Sequence, residues 1–485
     1  MAKNLNCQIG SLPFNFLGIP IGANMKRVKY WKPIVDRFNS KLSSWKVKVL
    51  SMAGRIVLAK AVLGALPNYF LSMFVAPKKV IKVLESIRRD FVWGKKNGKC
   101  KMRWVAWKKV VKAKGYGGLG VGDIRSANLA LLAKWWWKYK DNPRALWAEV
   151  IESIHSKRNS TSLMPIKFKL SGTWKDIMGI EKEFEKMGLS LNKQLTVNVG
   201  NGCKVKFWLD TWVGSGPFKE RFPAIYALAK NKNCKVSECV KRIGEIQMWD
   251  WAWKRGTRSD AERSQHAELT EVLKNISLKE NEDIWKWNSR PNEELTVAVI
   301  RDAISRTSLE ANDMEWKFWN RWAPPKVNLF VWRAAKNKIP VKMELFRRGI
   351  NIEDMRCSRC GRDEETIDHL LVDCVMAQAT WWNVKNWLKL PNNEELKSCE
   401  KMLQYIQDQI GSKEWKQVIM AIFMIAMWQI WKSRNEVVFN GRNGSVTRTV
   451  DEIKELSFLW IKERSKLKGL EWERWKDFNI RDIIK

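Results

Sequence analysis

Apolar residues return every three or four positions through much of this chain, and that period predicts helices. The spacing predicts one from Trp31 to Trp45 and one from Ser51 to Leu66, where Pro67 ends the pattern. Others run from about Pro77 to Val92 and from Ile124 to Lys140, across the Trp135-Trp136-Trp137 run. Phe14-Asn15-Phe16-Leu17-Gly18-Ile19-Pro20-Ile21-Gly22 breaks the period; its glycines and proline preclude a helix and predict a strand or tight turn. From about Gly172 to Arg290 the pattern is mixed: Leu195 to Val199 and Val205 to Trp208 alternate like strands around Gly200-Asn201-Gly202, which reads as a hairpin. Helical spacing resumes after Pro324-Pro325 and after Cys374, with a polar link from Pro391 to Ser398. The longest apolar run, Val418 to Trp431, spans only fourteen residues and contains Gln429. It is too short to cross a membrane and reads as a buried helix. The glycines from Gly115 to Gly122 lack Gly-Lys-Ser/Thr and do not sit between a strand and a helix of a dinucleotide unit, so they read as a turn. The expected fold is mainly α.

Composition adds size and charge to that pattern. Thirty tryptophans in 485 residues, with 45% hydrophobic residues, supply large cores, and the length suggests roughly three domains. The 88 basic and 51 acidic residues leave a formal charge of +37. Residues 1–150 carry 30 of the basic and 6 of the acidic ones, a local +24, whereas 151–485 carry +13. From Lys78 to Lys114 there are fourteen basic residues against Glu85 and Asp90, interleaved with Phe91, Trp93, Trp104 and Trp107. Cations track phosphates and flat rings stack on bases, so this stretch points to nucleic acid more than to an anionic membrane or an acidic protein. A solvated helix face would explain single lysines but not the scarcity of acidic partners. The candidate contacts are Lys78, Lys79, Arg88, Arg89, Lys95, Lys96, Lys101 and Arg103. Nine cysteines, an odd count, follow an N-terminus without an apolar signal core, so a reducing cytoplasmic or nuclear setting is expected, not a secreted one.

Cys357, Cys360, His369 and Cys374 form a C-x2-C-x8-H-x4-C array, and His369 is one of only three histidines. A two-residue gap lets two thiolates face one centre from a tight turn, and three sulfurs with one nitrogen fill a tetrahedral zinc shell. Such a closed shell leaves no open position, so the expected Zn2+ is structural. His369 and Cys374 lie five positions apart, about 140° around a regular helix, so a helix must begin or break between them.

Phe16-Leu17-Gly18-Ile19-Pro20-Ile21-Gly22, Trp45 with Leu50-Ser51-Met52-Ala53-Gly54-Arg55, and Gly115 to Leu119 resemble the segment after the polymerase palm in plant LINE-type, non-LTR retrotransposon reverse transcriptases. Gly200-Asn201-Gly202 with Phe207-Trp208-Leu209-Asp210-Thr211-Trp212 resembles that family's linking module. Pro324-Pro325-Lys326-Val327 with Phe330-Val331-Trp332-Arg333 resembles the opening of its zinc-binding domain, and Trp428-Gln429-Ile430-Trp431-Lys432-Ser433-Arg434-Asn435 the helix that follows. The resemblance implies a thumb-like basic helical region at 1–165, a mixed linking module at 166–295, the zinc-binding domain at 310–395 and C-terminal helices at 396–485. It also implies where the palm would be, yet no Asp-Asp dipeptide occurs in the chain and the Phe-Leu-Gly element begins already at Phe16. The expected product is therefore a zinc- and nucleic-acid-binding part of such a protein that holds RNA or DNA, with template-primer duplex as partner, and is no enzyme alone. Completion by a separate palm-bearing polypeptide, or an inert relic or protein-interaction module, are the alternatives.

Overall fold

The computed structural model describes residues 11–480 apart from 45–49, 97–98, 156–163, 168, 244–245, 289, 310–315, 392–396 and 443. Helices predominate and the sheets are small, so the protein is mainly α. The chain divides into two compact units, one of residues 1–45, 60–88 and 122–313, the other of 46–59, 89–121 and 314–485.

In the first unit, Phe14–Phe16 pairs antiparallel with Ile19–Ile21. Leu17 at φ 49° and Gly18 at φ 79° form the tight two-residue turn between them, as the glycine and proline pattern predicts. The Ile124–Asp141 helix starts where the Asp123 carboxylate accepts the Ser126 amide at 2.7 Å. Its Asn128 amide donates to the carbonyls of Leu71 and Phe74 and accepts from the Ala76 amide, which fixes the chain as it leaves the short Asn68–Leu71 helix. The Lys140 ammonium pairs with the Asp210 carboxylate, both buried, and Asp210 also accepts the Lys206 amide at 2.8 Å. That pair gives the aspartate of the Phe-Trp-Leu-Asp segment an internal role.

The hairpin expected around Gly200-Asn201-Gly202 does not form. Leu195–Asn198 pairs instead with Ile284–Trp287, which is the central strand of a three-stranded sheet closed by Arg290–Glu294. The buried Asp283 carboxylate explains the difference, because it accepts the amides of Gly200, Gly202 and Lys204 at 2.8 to 2.9 Å. Gly200 is required there: a Cβ would lie 2.0 Å from the Asn281 carbonyl oxygen. With its amides committed to that carboxylate, the glycine turn cannot feed a second strand. Phe207 and Trp208 leave it directly into the core, where Phe207 has the rings of Trp208, Trp212, Phe218, Trp249 and Trp251 at 4.9 to 6.2 Å.

The second unit is built on the Lys413–Asn440 helix, with Ser412 as N-cap and Gly441 at φ 64° as C-cap. The apolar run forecast as a buried helix is its middle, and every residue from Val418 to Met427 is buried. It is apolar all round because the helices Pro325–Ala335, Cys399–Asp408 and Val446–Arg464 and the turn His369–Asp373 pack around it. Asn320 and Asn328 stitch the Pro-Pro segment on: Asn328 donates to the Asn320 carbonyl at 2.8 Å, and Asn320 donates to the Gln417 carbonyl at 2.7 Å. The glycine run is structural, as a turn would be. Trp332 donates its indole N–H to the Gly117 carbonyl at 2.9 Å, and a Cβ on Gly118 would meet the Lys112 carbonyl oxygen at 2.2 Å. Among the described residues no helix is long and apolar enough to cross a membrane.

Candidate metal centre

Residues 355–365 form a short antiparallel knuckle. The Glu365 amide donates to the Met355 carbonyl at 2.9 Å, Arg356 bridges Glu364, and the Cys357 amide donates to the Asp363 carbonyl at 2.7 Å. Its tip turns at Gly361, at φ 69°, whose amide donates to the Cys357 carbonyl at 2.8 Å. This turn brings Cys357 and Cys360 to one side. His369 and Cys374 arrive from the other, through the break that their spacing requires. His369–Asp373 winds as a single π-turn, closed by the Cys374 amide donating to the His369 carbonyl at 2.7 Å, and Cys374 then serves as the N-cap of the Val375–Trp387 helix. A wider turn puts residues five apart on one face, and such π-turns concentrate at functional sites.

The four donor atoms lie within 4.8 Å of one another. Zinc bonds of about 2.3 Å to sulfur and about 2.0 Å to nitrogen require tetrahedral edges of about 3.8 Å between sulfurs and about 3.5 Å from sulfur to nitrogen. The Cys357 and Cys374 sulfurs are 4.0 Å apart, and Cys360 Sγ lies 3.3 Å from His369 Nε2. The cluster is thus suited to binding one zinc, and Cys357, Cys374 and His369 are buried while Cys360 is half-buried. With Nε2 facing the sulfurs, His369 Nδ1 faces the Asp363 carboxylate at 3.7 Å, which favours the tautomer a zinc ligand needs. A hydrogen bond from Cys357 lowers the Cys374 thiol and raises the Cys357 thiol, the pattern of two sulfurs competing for one proton.

Arg359 supplies a further sign of fit. Its three guanidinium nitrogens are buried without a hydrogen-bond partner. Burial lowers its pKa, while Cys374, Cys357 and Cys360 favour its charge. A divalent ion with three thiolates carries a formal charge of about −1, which would balance this otherwise uncompensated cation.

Two residues outside the array brace it. Glu365, with no exposed surface, binds Arg434 of the long helix: Arg434 Nε donates to Glu365 Oε2 at 3.1 Å, and Nη2 pairs with Oε1. Glu365 also accepts the amides of Lys342 and Ser358 at 3.0 and 3.3 Å. Asp368 accepts the Cys399 amide at 3.0 Å, which anchors the next helix beside His369. The Trp-Lys-Ser-Arg-Asn segment was visible in the sequence, but its arginine has a partner 69 residues away that no local pattern identifies.

The expected nucleic-acid contacts have different surroundings. Lys78, Lys79, Lys101 and Arg103 are exposed and Arg89 is half-buried. Arg103 donates to Asp90 at 2.8 Å. The side chains of Lys95 and Lys96 lie outside the described part. Arg88 requires correction: it is 1% exposed and donates to both Glu85 oxygens at 3.1 Å and to the Gly122 carbonyl at 3.0 Å. It is an internal brace, and Glu85 three residues earlier was the signal. Phe91 and Trp93 are likewise buried, leaving Trp104 and Trp107 partly accessible among the expected stacking rings.

Residues 301–381, which include all four donors, match the family described as zinc-binding in reverse transcriptase. Over 440 residues the chain is 26% identical to the Arabidopsis thaliana "putative ribonuclease H protein", an alignment covering 87% of this chain and 66% of that relative. It therefore spans just under two thirds of that relative's length. Over 151 residues it is 33% identical to an uncharacterized mitochondrial protein of Arabidopsis thaliana, covering 31% of this chain and 93% of that one.

Proposed function

The chain belongs to the plant LINE-type reverse-transcriptase-related family, and on that premise we propose that it binds RNA or DNA, with template-primer duplex as the partner, around a structural zinc. Cys357, Cys360, His369 and Cys374 would hold the ion, which would tie the knuckle to the helix that follows and take no part in chemistry. The observation that carries the nucleic-acid reading is the basic stretch: fourteen cations against two carboxylates from Lys78 to Lys114, with Lys78, Lys79, Lys101 and Arg103 exposed. Phosphate contacts of this kind position a duplex without reading its sequence. In functional terms 1–165 acts as the thumb-like grip, 166–295 as the link, 310–395 as the zinc domain and 396–485 as its helical support. The setting is intracellular and reducing, nuclear or cytoplasmic, because the three cysteines must stay thiolates to ligate zinc.

Catalysis is not assigned to this chain alone. Two-metal phosphoryl chemistry needs clustered carboxylates, and the sequence has no Asp-Asp dipeptide. Nor is ribonuclease H activity, which stands in one relative's name, carried over. Because the chain spans 66% of that relative, a second reading is that a palm-bearing polypeptide completes a polymerase; primer extension restored by adding such a partner would favour it.

The test is binding of the zinc-loaded chain to labelled RNA, DNA and a primed RNA/DNA hybrid across a range of salt. Affinity that falls steeply with salt supports the proposal, since phosphate contacts release counterions. A flat salt response, or no binding by a zinc-replete protein, refutes it.

A further inference from the structure

In the second unit Arg434 pairs with Glu365, Arg347 with Glu344 at 2.7 Å, and Arg356 with Asp354 at 3.0 Å. Arg333 and Arg348 differ. Their guanidinium carbons lie 5.6 and 4.5 Å from the centroid of a single ring, that of Trp104. Arg348 donates to the carbonyls of Arg103 and Trp104 at 3.3 and 3.0 Å, and Arg333 Nε donates to the Lys338 carbonyl at 3.0 Å. These partners are neutral, and among the described residues neither guanidinium has a carboxylate partner. Burial, and secondarily Arg348, push Arg333 down to about 10, and among the described residues no anionic group raises it in return.

Two partly buried cations gathered on one indole repel each other and are short of counter-charge. Cation–π contact with Trp104 orients them but leaves their charge in place. A guanidinium fork offers paired donors matched to phosphate oxygens, and an anion between two of them would supply the missing charge. The chain beside Trp104 continues the same sign, with Lys101 and Arg103 exposed. We propose that Arg333 and Arg348, presented on Trp104, form a phosphate-binding site for the backbone of a bound nucleic acid. This rests on the nucleic-acid reading above and adds a contact from the zinc-binding segment to the Lys101 and Arg103 candidates of the same unit.

The zinc-loaded full chain is treated with phenylglyoxal, which modifies arginine, with and without a primed RNA/DNA hybrid and, separately, tripolyphosphate. Modified peptides are read by mass spectrometry, with Arg255, ion-paired to Glu262 at 2.8 Å in the first unit, as the control site. In parallel, Arg333→Met/Arg348→Met is titrated with the hybrid across salt, its zinc content serving as the check on folding. We expect the hybrid to protect both arginines, and the double variant to bind about tenfold or more weaker with a salt slope shallower by about two. If the hybrid binds while both arginines stay reactive and the variant matches the parent chain, this site is overturned and the nucleic-acid reading stands. If the hybrid does not bind but tripolyphosphate protects both arginines, the phosphate site stands and that reading falls. If the hybrid does not bind and tripolyphosphate leaves both arginines reactive, both are overturned.

Discussion

The core around Phe207 and the knuckle around Cys357 solve the same problem by opposite means. Phe207 sits among five other aromatic rings, and its stabilisation comes from apolar area and ring packing spread over many contacts. At the knuckle, beside the buried apolar Ile367, Leu370 and Leu371, polar and ligating side chains are buried too: Cys357, Cys374, His369, Glu365 and Arg434. Such groups are costly to bury unless each finds its partner, so stability there depends on a few specific bonds. The first kind of core is graded, losing stability in proportion to what is removed; the second is close to all-or-none.

The sharpest way to break this contrast is to remove one ligand. Cys374→Ser is expected to abolish zinc binding, counted by native mass spectrometry, and to unfold the zinc-bearing unit; structural zinc contributes about 10 kcal/mol or more in small domains. A variant that keeps about one zinc per chain would refute the ligand assignment. Phe207→Ala probes the other side. It should cost about 3 to 5 kcal/mol in the first unit, read by denaturant unfolding, with zinc content unchanged.

Arg434→Met tests whether polar bracing is as demanding as ligation. It strands the fully buried Glu365 carboxylate, at an expected cost of about 3 to 5 kcal/mol, and adding Glu365→Leu should recover much of that. A double variant no more stable than Arg434→Met would show that the pair is not coupled. The smallest effect belongs to pH. Arg255, together with the Arg258 and Ser259 amides, lowers Glu262 from 4.5 to about 2. A depressed carboxyl stabilises the fold above its unfolded value and loses that contribution as pH falls. The N-terminus of the Asp260–Lys274 helix should therefore loosen between pH 4.5 and 2. Glu262→Gln should remove this step from an acid titration followed by circular dichroism.

What the sequence disclosed divides along a similar line. Helices such as Ile124–Asp141 and the buried run inside Lys413–Asn440 were legible because period and caps are local. The zinc array was legible for the same reason, and the five-residue gap from His369 to Cys374 even required the break that the π-turn supplies. The partner of Leu195–Asn198 was not legible: an adjacent glycine turn suggested a hairpin, whereas Asp283, far along the chain, decides the pairing. Arg88 was misread because charge density says nothing about which cation turns inward. Glu365 with Arg434, and Trp104 with Arg333 and Arg348, are likewise distant pairings that only the fold reveals.

Hydrogen exchange on the full chain, before and after chelation of its zinc, tests the contrast most directly. The expected result is fast exchange in 355–387 and in the Lys413–Asn440 helix, with protection retained in the strands and aromatic segments around Phe207. Loss of protection in both regions together, or in neither, would contradict it.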